Sequence, residues 1–330
     1  AGTMTPAEIG GLKARLFEGH SYPLVLEPGN AAETGFDALL RTLQSSKSEI
    51  YEQLHAYGAI LLRGFDVNGI EQFMQIAGLF APNLMDYKGG DSPRSEVGEN
   101  VYTSTDYPAQ YPISLHNELS FSNLYPRYLF FYCDTPSETG GETPLMSCRS
   151  LLQSLSPELR EKFASKKLKY VQNLHDGMGI GKSWQDTFFE TDPAAVERHL
   201  QRVGADFEWK DDGSLRVTEF VDPIIEHPET GERVFFSQAD QWHPSNLDEE
   251  TREAMLSLFE EEDLYHNCFY GDGSPINAAD LDTVRGLVER DKVMFPWKKG
   301  DVLLVDNILT MHGRSPFTGS RRILVAMGTP

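Results

Sequence analysis

Helix-like and strand-like runs do not alternate along this chain. Apolar stripes at helical spacing gather near the start, over 36–57 (Leu39, Leu40, Leu43, Ile50, Leu54) and 69–80 (Ile70, Phe73, Met74, Ile76, Ala77, Phe80). Short β-like runs dominate elsewhere: 59–62, 101–105, 113–118, 128–133, 168–174, 301–306 and 322–327. Two further units read as hairpins. Residues 207–210 and 215–218 flank the turn Asp211-Asp212-Gly213-Ser214, and residues 224–227 and 233–236 flank Pro228-Glu229-Thr230-Gly231-Glu232. Helices are expected at 149–155, 157–166, 192–203, 248–262 and 277–290, and a loop over 84–100. A doubly wound parallel sheet needs helix and strand in regular succession, so this order argues against it. A mainly β fold with helical insertions, built on a jelly-roll core, fits better.

With 330 residues, 40% hydrophobic and 24% charged, the chain has the make-up of a globular protein with a sizeable core. No Pro/Gly/Ser linker or repeat divides it, so 1–330 is expected to be one domain, with N-terminal helices over about 36–80 and an insertion over about 150–295. No apolar run is long enough to span a membrane and no signal-peptide pattern follows the start, where Ala1-Gly2-Thr3 reads as an extension before a native Met4. Three scattered cysteines suggest reduced thiols and a cytoplasmic setting. A net charge of −21, from 29 basic and 50 acidic residues, repels nucleic acid and anionic membrane; a small-molecule substrate is the expected partner.

The chemistry concentrates in Leu115-His116-Asn117-Glu118 and Met311-His312-Gly313-Arg314. A His and a carboxylate two residues apart share one face of an extended strand. With a second, distant His they suit the two-His-one-carboxylate set that leaves half an octahedral ion open, the arrangement of non-haem Fe(II) oxygenases. The same set could bind zinc for hydrolysis. Arg322, in Arg321-Arg322-Ile323-Leu324, would then suit a carboxylate co-substrate held by a bidentate pair. His227-Pro228-Glu229 repeats the H-x-E spacing, but Pro228 and the following Thr230-Gly231 mark it as a polar surface hairpin.

Taken in order, Tyr102-Thr103-Ser104-Thr105, His116-Asn117-Glu118-Leu119-Ser120-Phe121, Gly140-Gly141-Glu142-Thr143-Pro144, Asp306-Asn307 through His312-Gly313-Arg314-Ser315-Pro316-Phe317, and Gly319-Ser320-Arg321-Arg322-Ile323-Leu324 resemble the taurine dioxygenase (TauD/TfdA) family of Fe(II)/2-oxoglutarate-dependent oxygenases. The likeness runs from about Ala59 to the C-terminus and is greatest to the branch holding clavaminate synthase and syringomycin-pathway amino-acid hydroxylases. It implies a double-stranded β-helix, a cupin-like jelly-roll whose open end holds the metal. It implies Fe(II) on His116, Glu118 and His312, 2-oxoglutarate and O2 as co-substrates, Arg322 on the distal carboxylate of 2-oxoglutarate, and Thr143 donating to it. Arg321 is the alternative if the register shifts by one, since neighbours on a strand face opposite ways.

Two departures bear on the reaction. Taurine dioxygenase carries a sulfonate-binding Arg four residues beyond its co-substrate Arg, where this chain has Ala326, which argues against a sulfonate. Glu118 occupies the position that is Ala or Gly in related halogenases, which argues against halogenation. The resemblance therefore implies hydroxylation of an unactivated C–H of an amino-acid-type or peptide-like metabolite, free or carrier-tethered, with release of succinate and CO2. Desaturation, cyclisation and epimerisation are alternative outcomes on the same cofactors, and a non-catalytic jelly-roll module that binds metal or ligand is the alternative from another class. Ser104 and Asn117, near the expected metal, and Trp184 and Trp242, in segments able to line a pocket or form a lid, are the candidate substrate contacts.

Overall fold

The structure is a computed structural model that describes residues 6–92 and 94–330; the reading of Ala1-Gly2-Thr3-Met4 lies outside it. Its frame is a ten-stranded sheet facing a three-stranded one. At the centre of the large sheet, Val302–Asp306 pairs with Ala59–Leu62 on one side and with Tyr128–Thr135 on the other, and Tyr128–Thr135 in turn pairs with Arg322–Thr329. All these pairings are antiparallel; the parallel exception is Leu24–Glu27 beside Ala59–Leu62. In the small sheet Thr310–Arg314 lies between Leu145–Ser147 and Ile113–His116. This two-sheet arrangement is the jelly-roll core expected from the sequence.

The central strands are unbroken apolar runs because both of their faces are covered. Leu129, Phe131, Cys133, Leu303, Val305, Ile323 and Val325 point between the sheets, against Leu115, Leu145 and Met311. The alternate residues, Tyr128, Phe130, Tyr132, Val302, Leu304, Leu324 and Ala326, point outward under Leu39, Leu43, Ile50, Leu54, Phe73, Ile76 and Phe80 of the N-terminal helices. Each fully buried Leu or Phe on either face contributes about 1.5–3 kcal/mol.

The expected helix over 36–57 is two helices, Phe36–Ser45 and Lys47–Tyr57, divided at Ser46. Ser45 and Ser46 are adjacent weak helix formers that compete for backbone hydrogen bonds. Residues 248–262 shorten to Glu249–Leu258 plus a single turn at Glu261–Asp263. Within the stretch between the metal-ligand candidates, Asp206–Trp209, Leu215–Val221, Leu168–Leu174 and His266–Tyr270 form a separate four-stranded sheet. It has its own apolar cluster around Leu174, Trp184, Leu200 and Val217. Among the described residues no helix is long and apolar enough to cross a membrane.

The hairpin carrying His227 is not a surface feature. Its strands are Ile224–Glu226 and Arg233–Phe235, and His227 is 1% exposed. Its Nδ1 accepts the backbone N–H groups of Glu229 and Thr230, so the ring folds into its own turn and reaches Asp306 with Nε2 at 2.8 Å. Pro228 does sit in a turn, as its residue type predicts; the spacing gives no sign that the turn closes over a buried imidazole.

Candidate active site

His116 and His312, far apart in the chain, are direct cross-strand partners in the small sheet. Their rings lie 4.6 Å apart between centroids. The ladder slips immediately after this pair, before Arg314 and Ile113. Gly313 sits at that bulge, where a Cβ would lie 2.5 Å from the Ile113 carbonyl oxygen, so only glycine lets the strands close there.

Glu118 arrives differently from expectation. The strand ends at His116, and Glu118 lies in the turn beyond it, so strand alternation does not by itself aim the carboxylate. Asn307 does. Its Oδ1 accepts the Glu118 N–H at 2.8 Å, and its Nδ2 donates to the Glu118 and Pro126 carbonyls. The turn continues through Leu119 with φ +55°, a left-handed conformation unusual for leucine and characteristic of functional sites. Asn117, expected near substrate, points the other way. It is fully buried, donates to the Asn307 carbonyl and accepts the Ser237 N–H, so it clamps the loop from behind.

The three side chains converge on one point. Glu118 Oε1 lies 3.5 Å from His116 Nε2 and 3.2 Å from His312 Nε2, and all three residues are buried. His116 Nδ1 donates to the Ser114 carbonyl at 2.9 Å, which fixes the ring; burial would lower its pKa, but the Glu118 carboxylate and that carbonyl outweigh it and raise it. Burial, then the charge of His116, lowers the pKa of His312 to about 4, so that imidazole is neutral. Burial would raise the pKa of Glu118, but the Arg94 guanidinium and both imidazoles outweigh it and hold the carboxyl well below its usual range. Glu118 Oε2 and His312 Nδ1 have no hydrogen-bond partner among the described residues. A neutral His312, a second imidazole anchored through its Nδ1, an ionised carboxylate and an unspent oxygen fit a divalent iron with open positions.

His116 and His312 line a cavity of about 400 Å³ that also has Ser104, Thr143 and Arg321 in its wall. Thr143 is 2% exposed and its Oγ1 accepts the Trp297 indole N–H at 3.0 Å. The adjacent arginines separate. Arg322 is exposed, on the face opposite the cavity, 3.3 Å from Asp134. Arg321 enters the cavity, with Nε donating to the Gly141 carbonyl and Nη1 to Ser104 Oγ. Burial, and then neighbouring Arg314, lower its pKa to about 10, and it forms no ion pair among the described residues. The placement of Arg322 is thus corrected to Arg321. The register moves with it: Ala326 packs under the N-terminal helices, and the residue four beyond Arg321 is Val325, also buried.

Trp184 does not reach the cavity. It is core of the separate sheet, edge-on to Trp209 at 5.4 Å, with its indole N–H on Asp176. Trp242 supports the wall from behind: its N–H donates to Asp91 and its ring stacks on His266 at 4.0 Å, and both of those residues line the cavity. Sequence reasoning misses Asp91, Arg94, Lys182 and His266. Arg94 lies in a stretch that reads as an undifferentiated loop, while Lys182 lies in the segment singled out for its tryptophan. A second cavity, of about 450 Å³ and lined by His243, Arg252, Cys268 and Asp282, shares none of these residues.

The family model "Taurine catabolism dioxygenase TauD, TfdA family" matches residues 24–327. The dapdiamide synthesis protein DdaC of Enterobacter agglomerans is 33% identical over 86% of each chain, and a clavaminate synthase-like protein of Arabidopsis thaliana is 28% identical over 94% of each. Two solved structures share the fold at 14% identity. One is AAD-2 in complex with Mn(II) and N-oxalylglycine, with a TM-score of 0.57 over 97% of this chain and 98% of that one. The other is PvcB, an Fe, alpha-ketoglutarate-dependent oxygenase from an isonitrile synthetic pathway, with a TM-score of 0.53 over 96% and 90%. The length of the family match and the DdaC identity leave no other assignment: the chain belongs to the TauD/TfdA family and is a non-haem iron, 2-oxoglutarate-dependent dioxygenase.

Proposed function

We propose that His116, Glu118 and His312 hold Fe(II), that Arg321 with Thr143 and Ser104 holds the distal carboxylate of 2-oxoglutarate, and that the enzyme hydroxylates an unactivated C–H of an amino-acid-type or peptide-like metabolite. The observation that carries the site assignment is the convergence of two imidazole Nε2 atoms on one carboxylate oxygen, with both imidazoles in the same cavity wall as a desolvated guanidinium that has no carboxylate partner among the described residues. Similarity to a dapdiamide synthesis protein supports the substrate class, and a cavity of about 400 Å³ suits a small metabolite.

With 2-oxoglutarate and O2, bound iron supplies the oxidising power to break the C–H bond, and the co-substrate leaves as succinate and CO2. The protein's part is placement. Asn307 fixes the backbone of Glu118, the Ser114 carbonyl fixes the His116 tautomer, and Phe131 packs 5.4 Å from the His312 ring. The Arg321 guanidinium offers a planar fork for a carboxylate, and the Trp297 indole holds the Thr143 hydroxyl in place beside the cavity. Val325 in place of a second arginine leaves the cavity without a sulfonate receptor on that strand. We also read 1–330 as one oxygenase domain, the extra sheet serving substrate selection.

The test is anaerobic addition of Fe(II) and 2-oxoglutarate. A weak visible band near ~500 nm is expected from a keto acid chelated to Fe(II) in a site of this type, followed by succinate release when air and a panel of amino acids are supplied. Bound iron with no band, in protein that keeps its fold, overturns the co-substrate assignment.

A further inference from the structure

Glu118 Oε1 has a third neighbour besides the two imidazoles: Arg94 Nη2, at 3.1 Å. Arg94 is buried, its guanidinium also donates to the Ser104 carbonyl, and it lies over the Tyr87 ring at 4.6 Å. Lys182 faces the same ring at 5.8 Å, donates to the Gly90 carbonyl and makes no ion pair among the described residues. Both cations line the cavity of about 400 Å³. Asp91, the carboxylate beside them, already accepts from the Tyr87 hydroxyl, the Gln238 amide and the Trp242 indole.

We propose that Arg94 is shared between two partners: it rests on Glu118 until a divalent ion takes that oxygen, and it then joins Lys182 in binding a free carboxylate of the substrate. The inference rests on the assignment of His116, Glu118 and His312 to the metal. A divalent ion held by the two Nε2 atoms would draw on Glu118 Oε1, the oxygen they share with Arg94, and its charge would repel the guanidinium and weaken that pair. A buried guanidinium stripped of its anion is strongly destabilised unless another replaces it. Arg321 is assigned to the distal carboxylate of 2-oxoglutarate, whose other carboxylate would be spent in chelating the metal, and Asp91 is committed to its three donors, so the replacement comes in with the substrate. A planar fork beside an ammonium suits a carboxylate. The substrate therefore keeps a free carboxylate during the reaction. A metabolite whose only carboxyl is consumed in a carrier thioester does not meet this requirement.

Mn(II) binding, read as loss of the free-ion EPR signal, tests this without any turnover. Wild type, Arg94→Gln, Arg94→Lys and Lys182→Gln are titrated under saturating 2-oxoglutarate, with propionate or the neutral propionamide. If the competent site is populated about one time in ten while Arg94 rests on Glu118, Arg94→Gln tightens Mn(II) roughly tenfold. Loss of a nearby positive charge also favours a cation, so the decisive reading is linkage. Propionate, not propionamide, should tighten Mn(II) several-fold in wild type, less in Lys182→Gln and not at all in Arg94→Gln. If Arg94→Gln does not fold, Arg94→Lys should keep a weakened propionate effect. Weaker Mn(II) binding in Arg94→Gln would make the residue a buttress of Glu118 and overturn the proposal, as would the absence of a propionate effect in wild type. Failure of wild type itself to bind Mn(II), matched by His116→Ala, would instead overturn the metal assignment.

Discussion

Two clusters in this molecule have the same composition. His116, Glu118 and His312 bring two imidazoles and a carboxylate to within 4.8 Å of one another, and so do His55, His227 and Asp306. The second is spent. His227 Nδ1 accepts two backbone N–H groups, so Nε2 carries the proton and gives it to Asp306 Oδ2. Asp306 Oδ1 accepts the N–H groups of Ile308 and Leu309, and His55 Nε2 meets the Tyr128 hydroxyl at 2.8 Å. The first cluster keeps Glu118 Oε2 without a partner among the described residues, and its two imidazoles line a cavity. Proximity of donor types does not make a metal site; lone pairs left over after the fold has taken its hydrogen bonds do.

The largest effect expected from breaking this contrast is at the ligands. His312→Ala should abolish Mn(II) binding and 2-oxoglutarate turnover while the protein stays folded. His227→Ala should leave metal stoichiometry at one and instead destabilise the fold by about 3 kcal/mol, because it strands a buried Asp306 carboxylate. Denaturant titration beside Mn(II) binding separates the two, and metal loss in His227→Ala with a native fold would erase the distinction.

The adjacent arginines repeat the contrast at smaller scale. Arg322 is spent on Asp134 at the surface, while Arg321 is desolvated with no carboxylate partner among the described residues. Losing a buried partner for a charged co-substrate costs about 3–5 kcal/mol, so Arg321→Ala should raise the 2-oxoglutarate concentration needed by roughly two to four orders of magnitude. Arg322→Ala should stay within about a factor of two, as an exposed pair is worth little. Equal effects in the two variants would return the co-substrate role to an open question of register.

That register marks the boundary of what is legible in the sequence. The ordered motifs together display the jelly-roll and single out His116, Glu118 and His312, although the H-x-E step alone does not, since Asn307 and not strand alternation aims Glu118. They do not display which of two arginines faces inward. Parity along a strand is read from alternation, and Ile323 to Met327 is apolar on both faces because helices cover one side and the small sheet the other. Asn117 and Trp184 are polar or aromatic residues in suggestive places, but their partners, Ser237 and Asp176, come from turns that periodicity does not connect to them. Arg94 is invisible for the same reason: its role depends on Glu118 and Tyr87, not on its own neighbours in the chain.

A third place sharpens the comparison, because it too holds unspent polar atoms yet pairs them with no opposite charge. Glu219 Oε1, Gln172 Oε1 and His199 Nδ1 lack partners among the described residues, and all three residues line a cavity of only about 50 Å³. Here the groups settle by neutralisation. Burial pushes the Glu219 carboxyl up to about 8, and burial together with Lys88 and Arg202 lowers His199 to about 4, so both are uncharged near pH 6. This fixes the sign of the pH effect. Between its unfolded value and about 8, Glu219 binds more proton in the folded chain than in the unfolded one, so its contribution to stability falls as pH rises through that window. Glu219→Gln, neutral throughout, should therefore gain on wild type between pH 5 and 8, by on the order of 1–3 kcal/mol at the upper end, in parallel denaturant titrations. A constant difference across that range would mean that Glu219 is ionised in place, and that some partner holds its charge as Arg94 holds that of Glu118.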